Sequence, residues 1–289
     1  MAAPLNGPAV PGASQEPVRA GQPGAPGERG AAGPAGDVRL IRLADAAAVA
    51  AAVAERLLEE RLAPAPRRPL GLATGRTMEP VYRALAQRLA ALPGAEAEGL
   101  RQGWCSFNLD AYVGLPPGDG RSFAAEMARA LVRPLGLDPA RVHLPDGLAP
   151  DPAAEARRYG AALAAAGGIG LQLLGLGLNG HVGFNEPPCA ATAECRVVEL
   201  AEATRRQNAA AFGGDPAAVP ARAITLGLAE ILAAERILLV VTGAPKAGIL
   251  RRCLLEPPGS DRPASWLQRH PDVTVIADAA ALPEGPEGG

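Results

Sequence analysis

From residue 38 almost to its end, the sequence alternates short apolar runs with segments of helical period. The runs fall at 69–73, 103–109, 169–175, 195–200, 223–228, 236–242 and 273–277. Helical patterns lie between most of them, at 78–91, 122–133, 152–166, 201–211 and 245–255, and Asp45 is placed to cap an Ala-rich helix running to about residue 62. Strands that recur with helices between them need crossover connections, which build a mainly parallel sheet covered by helices on both faces. The expectation is a single Rossmann-like α/β domain over residues 38–280. In such sheets ligands bind beyond the carboxyl ends of the strands, so chemistry belongs in the loops that follow the apolar runs.

Composition narrows the classes of partner. Only 3% of the 289 residues are aromatic against 48% hydrophobic, so Ala, Val and Leu must fill the core. A net charge of −2 argues against nucleic acid or an anionic membrane surface as partner, and any anion site must be local. No apolar run approaches membrane-spanning length and the N-terminus has no apolar signal core, which makes the cytoplasm the expected compartment. Cys105, Cys189, Cys195 and Cys253 form no CxxC pair. Even taken together with His181, Cys189 and Cys195 match no zinc spacing, so ordinary thiols and no metal are expected. Residues 1–37 are rich in Gly, Pro and Ala, with glycines every third residue from Gly21 to Gly36. This collagen-like period is short, and the stretch reads as a flexible tail outside the fold, as does 281–289.

Three loops carry candidate chemistry. Thr74-Gly75-Arg76-Thr77 follows the first run and opens a helix, where outward N–H groups, two hydroxyls and a guanidinium suit an anion such as phosphate. A plain strand-to-helix turn capped by threonine explains the same residues. Asp110 closes the run ending in Phe107-Asn108-Leu109 and reads as a helix cap, a metal ligand or a general base. The third loop, from Gly175 through Pro187, holds His181 with Asn179 and Glu186 near it. A histidine with a carboxylate partner is an acid/base arrangement, and so glycine-rich a loop has little packing purpose, which favours function over an idle surface loop. Lys246, near a helix start after the 236–242 run, is a further phosphate contact or else a solvated lysine. His143 and His270 have no such surroundings and read as structural.

Taken together, these pieces resemble the glucosamine-6-phosphate deaminase (isomerase) family over 38–278. The run Asn179-Gly180-His181-Val182-Gly183-Phe184-Asn185-Glu186-Pro187 is similar to that family's signature, and 107–115, 223–227 and 243–246 match in order and spacing. The related 6-phosphogluconolactonases share the fold and a Gly-His pair but lack the following Phe-Asn-Glu-Pro. The resemblance implies conversion of glucosamine 6-phosphate and water to fructose 6-phosphate and ammonia, with no metal or organic cofactor. It implies that His181, oriented by Glu186 and Asn179, opens the sugar ring and that Asp110 moves the C2 proton to C1. It puts the phosphate on Thr74, Gly75, Arg76 and Thr77, with Lys246 closing over it.

Two positions depart from the family pattern. Ala111 stands where a glutamate commonly follows the aspartate, and Ala210 stands where a phosphate-binding arginine is usual. Arg206, one turn before Ala210, and Arg76, inside the loop, are the candidate replacements, and Arg76 is the expected one. Of the polar and basic residues that some members use near 188–198 for allosteric activation, only Arg196 persists, so little such activation is expected. Another hexosamine phosphate such as galactosamine 6-phosphate remains an alternative substrate. A non-catalytic sugar-phosphate sensor is the alternative of another class, although 1–37 is too rich in Pro and Gly for a DNA-binding helix-turn-helix. A homo-oligomer is compatible with all of this.

Overall fold

The computed structural model describes residues 14–18, 38–64 and 67–282. In chain order the strands are β1 (Ser14–Val18), β2 (Val38–Leu43), β3 (Leu70–Leu72), β4 (Ser106–Asn108), β5 (Asp110–Tyr112), β6 (Val142–His143), β7 (Leu171–Gly175), β8 (Arg196–Glu199), β9 (Arg222–Thr225), β10 (Arg236–Val241) and β11 (Val273–Asp278). The larger sheet runs β1-β2-β11-β10-β7-β3-β4-β6, with β2 to β6 parallel and β1 antiparallel at its edge. Its central strands are continuous apolar runs because helices cover both faces; five of the six residues of β10 are buried.

Helix α1 (Ala46–Leu62) begins where the Asp45 carboxylate accepts the Ala48 N–H at 2.8 Å. It buries Val49, Val53, Ala54, Leu57 and Leu58, a stripe at helical spacing, and packs on α2 (Met78–Ala90) and β11. Chain order then fixes where a ligand can sit. From β3 the chain builds outward through β4 to β6; from β7 it returns beside β3 and builds the other way through β10 and β11. The crevice between the carboxyl ends of β3 and β7 is the topological switch point, the default ligand site of such sheets.

Several expectations change here. The runs at 195–200 and 223–228 are strands β8 and β9, yet they leave the parallel sheet and form an antiparallel sheet with β5. Leu109 is the shared joint: its N–H donates to Leu72 O at 2.9 Å, and its carbonyl accepts from Leu226 at 2.7 Å. An apolar run shows that a strand is buried but not which sheet buries it. The helix expected at 122–133 is α4 (Phe123–Met127), a π turn (Ala128–Val132) and α5 (Arg133–Leu135). Helices α3 (Gly94–Gln102), α6 (Pro152–Ala165), α7 (Glu202–Asn208), α8 (Leu228–Leu232) and α9 (Ala247–Leu255) complete the set, of which α3 and α8 were not anticipated.

The tail boundaries also move. Ser14–Val18 pairs with β2, and Pro17 is tolerated there because an edge strand can lack a ladder donor. At the other end Ala281 is 1% exposed and donates to Asp278 Oδ1 at 2.8 Å, so the fold runs past 280. The rest of 1–37, including the glycine period, and 283–289 lie outside the described residues. Among the described residues no helix is long and apolar enough to cross a membrane.

Candidate active site

A cleft of about 380 Å³ opens at the switch point. The β3–α2 loop forms one wall. Met78 N–H and Glu79 N–H turn back onto Gly75 O, at 2.8 and 3.3 Å, which closes the loop tightly. Among the described residues no backbone acceptor takes the N–H groups of Arg76 and Thr77, and Thr77 makes no side-chain cap bond. These donors therefore stand at the N-terminus of a 13-residue helix, where its dipole favours an anion. Lys246 joins them from the far side, on a turn anchored where Gly243 N–H donates to both Asp278 carboxylate oxygens at 3.0 Å. Burial, and then the nearby Arg76 charge, hold the Lys246 ammonium below its ordinary pKa.

Asp110 lines the same cleft, 6% exposed, at the joint between the two sheets. Burial, reinforced by the charge of Glu126, lifts its pKa from 3.8 to about 7. A carboxylate so poised can take up and release a proton near neutrality. Beneath it lies a ring cluster concentrated from the chain's few aromatics. Tyr112 packs at 4.6 Å on Phe123, 5.6 Å on Phe184 and 5.7 Å on Phe212. This small second core seats β5 and the helix-rich segment after β8.

The glycine-rich loop after β7 supplies His181. Gly177 has a packing reason to be glycine: a Cβ there would lie 2.3 Å from the imidazole. Gly183, at φ +56°, lies over Asp110, and a Cβ would stand 3.3 Å from its Oδ2. The His181 N–H donates to Asn179 Oδ1 at 3.2 Å, so the atom facing the ring is an acceptor. His181 Nδ1 is 2.6 Å from that oxygen and must carry the ring proton, leaving Nε2 as the acceptor. Burial pushes this histidine down to about 4; Glu186 pulls it up and Lys246 down. The ring is neutral at pH 7.

The structure divides the sequence candidates. Thr74, Gly75, Arg76, Thr77, Asp110, His181 and Lys246 share the cleft, and Asn179 holds the histidine. Glu186 does not hydrogen-bond His181. Its carboxylate accepts from Ala201 N at 2.7 Å and from the Thr204 hydroxyl, fastening the start of α7 to the signature loop. Arg206 does not line the cleft: it pairs with Glu202 on the exposed face of α7, its side chain 64% exposed. One turn before Ala210 on paper proved the wrong face, because the helix ends at Asn208 and continues as a 3-10 turn. Asn185 is a strut, donating to Val182 O and Leu226 O and accepting from Arg196 at 2.9 Å.

Sequence reasoning missed Arg121, Glu126 and Arg129, which also line the cleft. Glu126 and Arg129 fall in a helical pattern, where charges read as the solvated face, and Arg121 lies in the turn before it, so no sequence pattern marks them. Among the described residues no group of three His, Cys, Asp or Glu is arranged to hold a metal ion.

Fold and cleft thus define a doubly wound α/β protein whose cleft gathers the Thr74–Thr77 loop, Lys246, Asp110 and His181. A family model described as glucosamine-6-phosphate isomerases/6-phosphogluconolactonase matches residues 43–276. The chain is 43% identical over 224 residues to a glucosamine-6-phosphate deaminase of Rhodopirellula baltica, covering 77% of this chain and 86% of that one. It is 43% identical to another from Shouchella clausii, covering 79% and 90%. Among solved structures, a monomeric glucosamine-6-phosphate deaminase superposes with a TM-score of 0.77 at 35% identity, over 84% of this chain and 98% of that one. A 6-phosphogluconolactonase from Leishmania guyanensis shares the fold at 22% identity, with a TM-score of 0.66 over 86% of this chain and 98% of that one. The chain belongs to the glucosamine-6-phosphate isomerase/6-phosphogluconolactonase family.

Proposed function

We propose that the protein is a glucosamine-6-phosphate deaminase, converting glucosamine 6-phosphate and water to fructose 6-phosphate and ammonia. The observation that carries this reading is the meeting of Asp110 and His181 with the Thr74–Thr77 loop and Lys246 in one cleft. The phosphate binds the loop donors, with Arg76 and Lys246 supplying charge. The neutral imidazole, its Nδ1 proton fixed on Asn179, shuttles the proton that opens the pyranose ring through Nε2. Asp110 then takes the C2 proton of the open-chain amino aldehyde, giving an enolamine, and returns a proton at C1. Water adds to the resulting C2 imine and ammonia leaves. Such a base contributes about two to four orders of magnitude.

Glu186 acts in this scheme by holding α7 against the signature loop rather than by touching the histidine. A cytoplasmic setting suits the four cysteines, all unpaired. One solved relative is described as monomeric, and size-exclusion chromatography with light scattering decides between a monomer and a homo-oligomer here.

Ammonia release from purified protein given glucosamine 6-phosphate, with Asp110→Asn alongside, tests the reading. Release by the wild type and not the variant is the expected result. Release from galactosamine 6-phosphate alone would replace the substrate, and release from neither, with sugar phosphate still bound, would favour a sensor.

A further inference from the structure

The anion loop is not vacant of charge. Glu126 reaches from α4 across the cleft wall, and its Oε1 accepts the Gly75 N–H at 2.7 Å. That N–H belongs to the turn on which the substrate phosphate is placed above, and one proton cannot serve two anions well. Glu126 also lines the same cavity as Asp110, and after burial it is the group that most perturbs Asp110. Resting on the function proposed above, we propose that Glu126 is a resident anion of the phosphate loop. It holds the Gly75 N–H until the substrate phosphate displaces it, so that filling the loop changes the charge standing beside the catalytic base.

The surroundings of Glu126 fit a group meant to leave. Glu79 on α2 and Asp110 on β5 are like charges facing it, and the hydroxyls of Tyr82 and Tyr112 lie within its field. Burial comes first and Glu79 adds to it in holding the Glu126 carboxyl above its ordinary range; the Gly75 N–H and Arg129 oppose them. Arg129 follows three residues along, in the π turn, and offers the displaced carboxylate a cation at the cleft edge. Glu126 is thus a positioning residue: it acts through Gly75 and Asp110 and touches no reacting atom.

Sulfate is the probe, because its charge does not titrate over the working range. Calorimetric binding to the full chain is measured for the wild type, Glu126→Gln and Glu126→Ala. Removing the competitor is expected to tighten sulfate binding about tenfold at about pH 8, the equivalent of about 1.4 kcal/mol. The gain should shrink as pH falls and the wild-type carboxyl takes up a proton. In Asp110→Asn, where the neighbouring carboxylate cannot contribute, sulfate affinity should still weaken as pH rises and the Glu126 carboxyl, held above its ordinary range, gives up its proton. The acid limb of kcat/KM with glucosamine 6-phosphate should also move to lower pH in Glu126→Gln, which a merely structural role would not cause.

Equal or weaker sulfate binding by both Glu126 variants, their melting temperatures retained, would overturn the proposal. So would a sulfate affinity in Asp110→Asn that is flat with pH, a result that needs no Glu126 variant to fold. Binding of sulfate to none of the proteins would instead remove the phosphate loop itself, and with it the function proposed above.

Discussion

Asp110→Asn should make the protein inactive and more stable at once, with the stability gain appearing only as pH rises. The folded state holds the Asp110 proton more tightly than the unfolded chain, because burial and Glu126 lift its pKa from 3.8 to about 7. Between those values the native state binds more protons than the unfolded one, so the wild type loses stability as pH rises through the interval. Above about 7 the penalty is complete. At about 1.4 kcal/mol per pH unit the gap amounts to about 4 kcal/mol. The residue is 6% exposed, so solvent screening takes little from that figure. An asparagine of the same shape carries no such penalty. Denaturant unfolding should therefore show the variant up to about 4 kcal/mol more stable near pH 8, or about 8–16 °C in Tm, with the curves converging toward pH 4. Ammonia release should fall by about two to four orders of magnitude. A variant no more stable than the wild type at about pH 8 would refute the claim that this carboxylate is held out of its preferred charge state, whatever happened to activity.

Arg76→Ala should raise KM roughly tenfold to a hundredfold through loss of a charge-assisted phosphate contact, with a smaller change in kcat, while Arg206→Ala changes neither; an unchanged KM in the first would remove Arg76 from the site. Asn179→Asp places a carboxylate on His181 Nδ1 and should raise the imidazole's midpoint from about 4 in an NMR titration; a stationary midpoint would mean the contact does not persist in solution. Glu186→Ala frees the start of α7, so the helix should exchange its amide hydrogens faster and the protein lose about 1 kcal/mol. Slowed turnover with unchanged exchange would return Glu186 to the chemistry. Gly183→Ala forces a left-handed conformation costing about 1 kcal/mol and crowds Thr225 and Asp110, so kcat should fall more than stability does.

The parallel sheet was legible because its strands are buried on both faces and so read as nearly continuous apolar runs, as in residues 237–241 of β10. The small sheet was hidden because β8 and β9 also carry short apolar stretches, Val197-Val198 and Ala223-Ile224, and only the long-range pairing of β9 with β5 and β8 separates them from the rest. Asp110, His181 and the Thr74–Thr77 loop were legible because each follows a strand's carboxyl end, where the topology gathers loops that lie far apart in sequence. Glu126 and Arg129 were not, since a charge on a short amphipathic helix looks the same whether its face meets solvent or a cleft. Glu186 misled for a related reason. Five residues from His181 in a glycine-rich loop, it looked like the histidine's partner, but the loop turns at Val182–Asn185 and delivers its carboxylate to α7.

The two departures from the family pattern carry different weight once their positions are known. Along β5 successive side chains alternate faces, so Asp110 and Tyr112 meet the cleft and Ala111 turns away from it, 8% exposed. A glutamate at 111 would not stand directly on the base, and its absence leaves Asp110 to be set by burial and by Glu126 across the cleft. Ala210 is another matter, because it does line the cleft. An arginine removed there is a charge removed from the site itself, and the charges that remain are Arg76 and Lys246 at the loop with Arg121 and Arg129 along the wall. Arg121 is already held bidentate by Asp119 and lies 5.3 Å over the Phe212 ring, so its charge is committed to the cleft's rim. Arg76 stands close enough to Lys246 to depress its pKa, which is the unfavourable arrangement expected of two cations that await a shared anion. We therefore propose that Arg76, inside the loop, compensates for Ala210, and the KM of Arg76→Ala is the test.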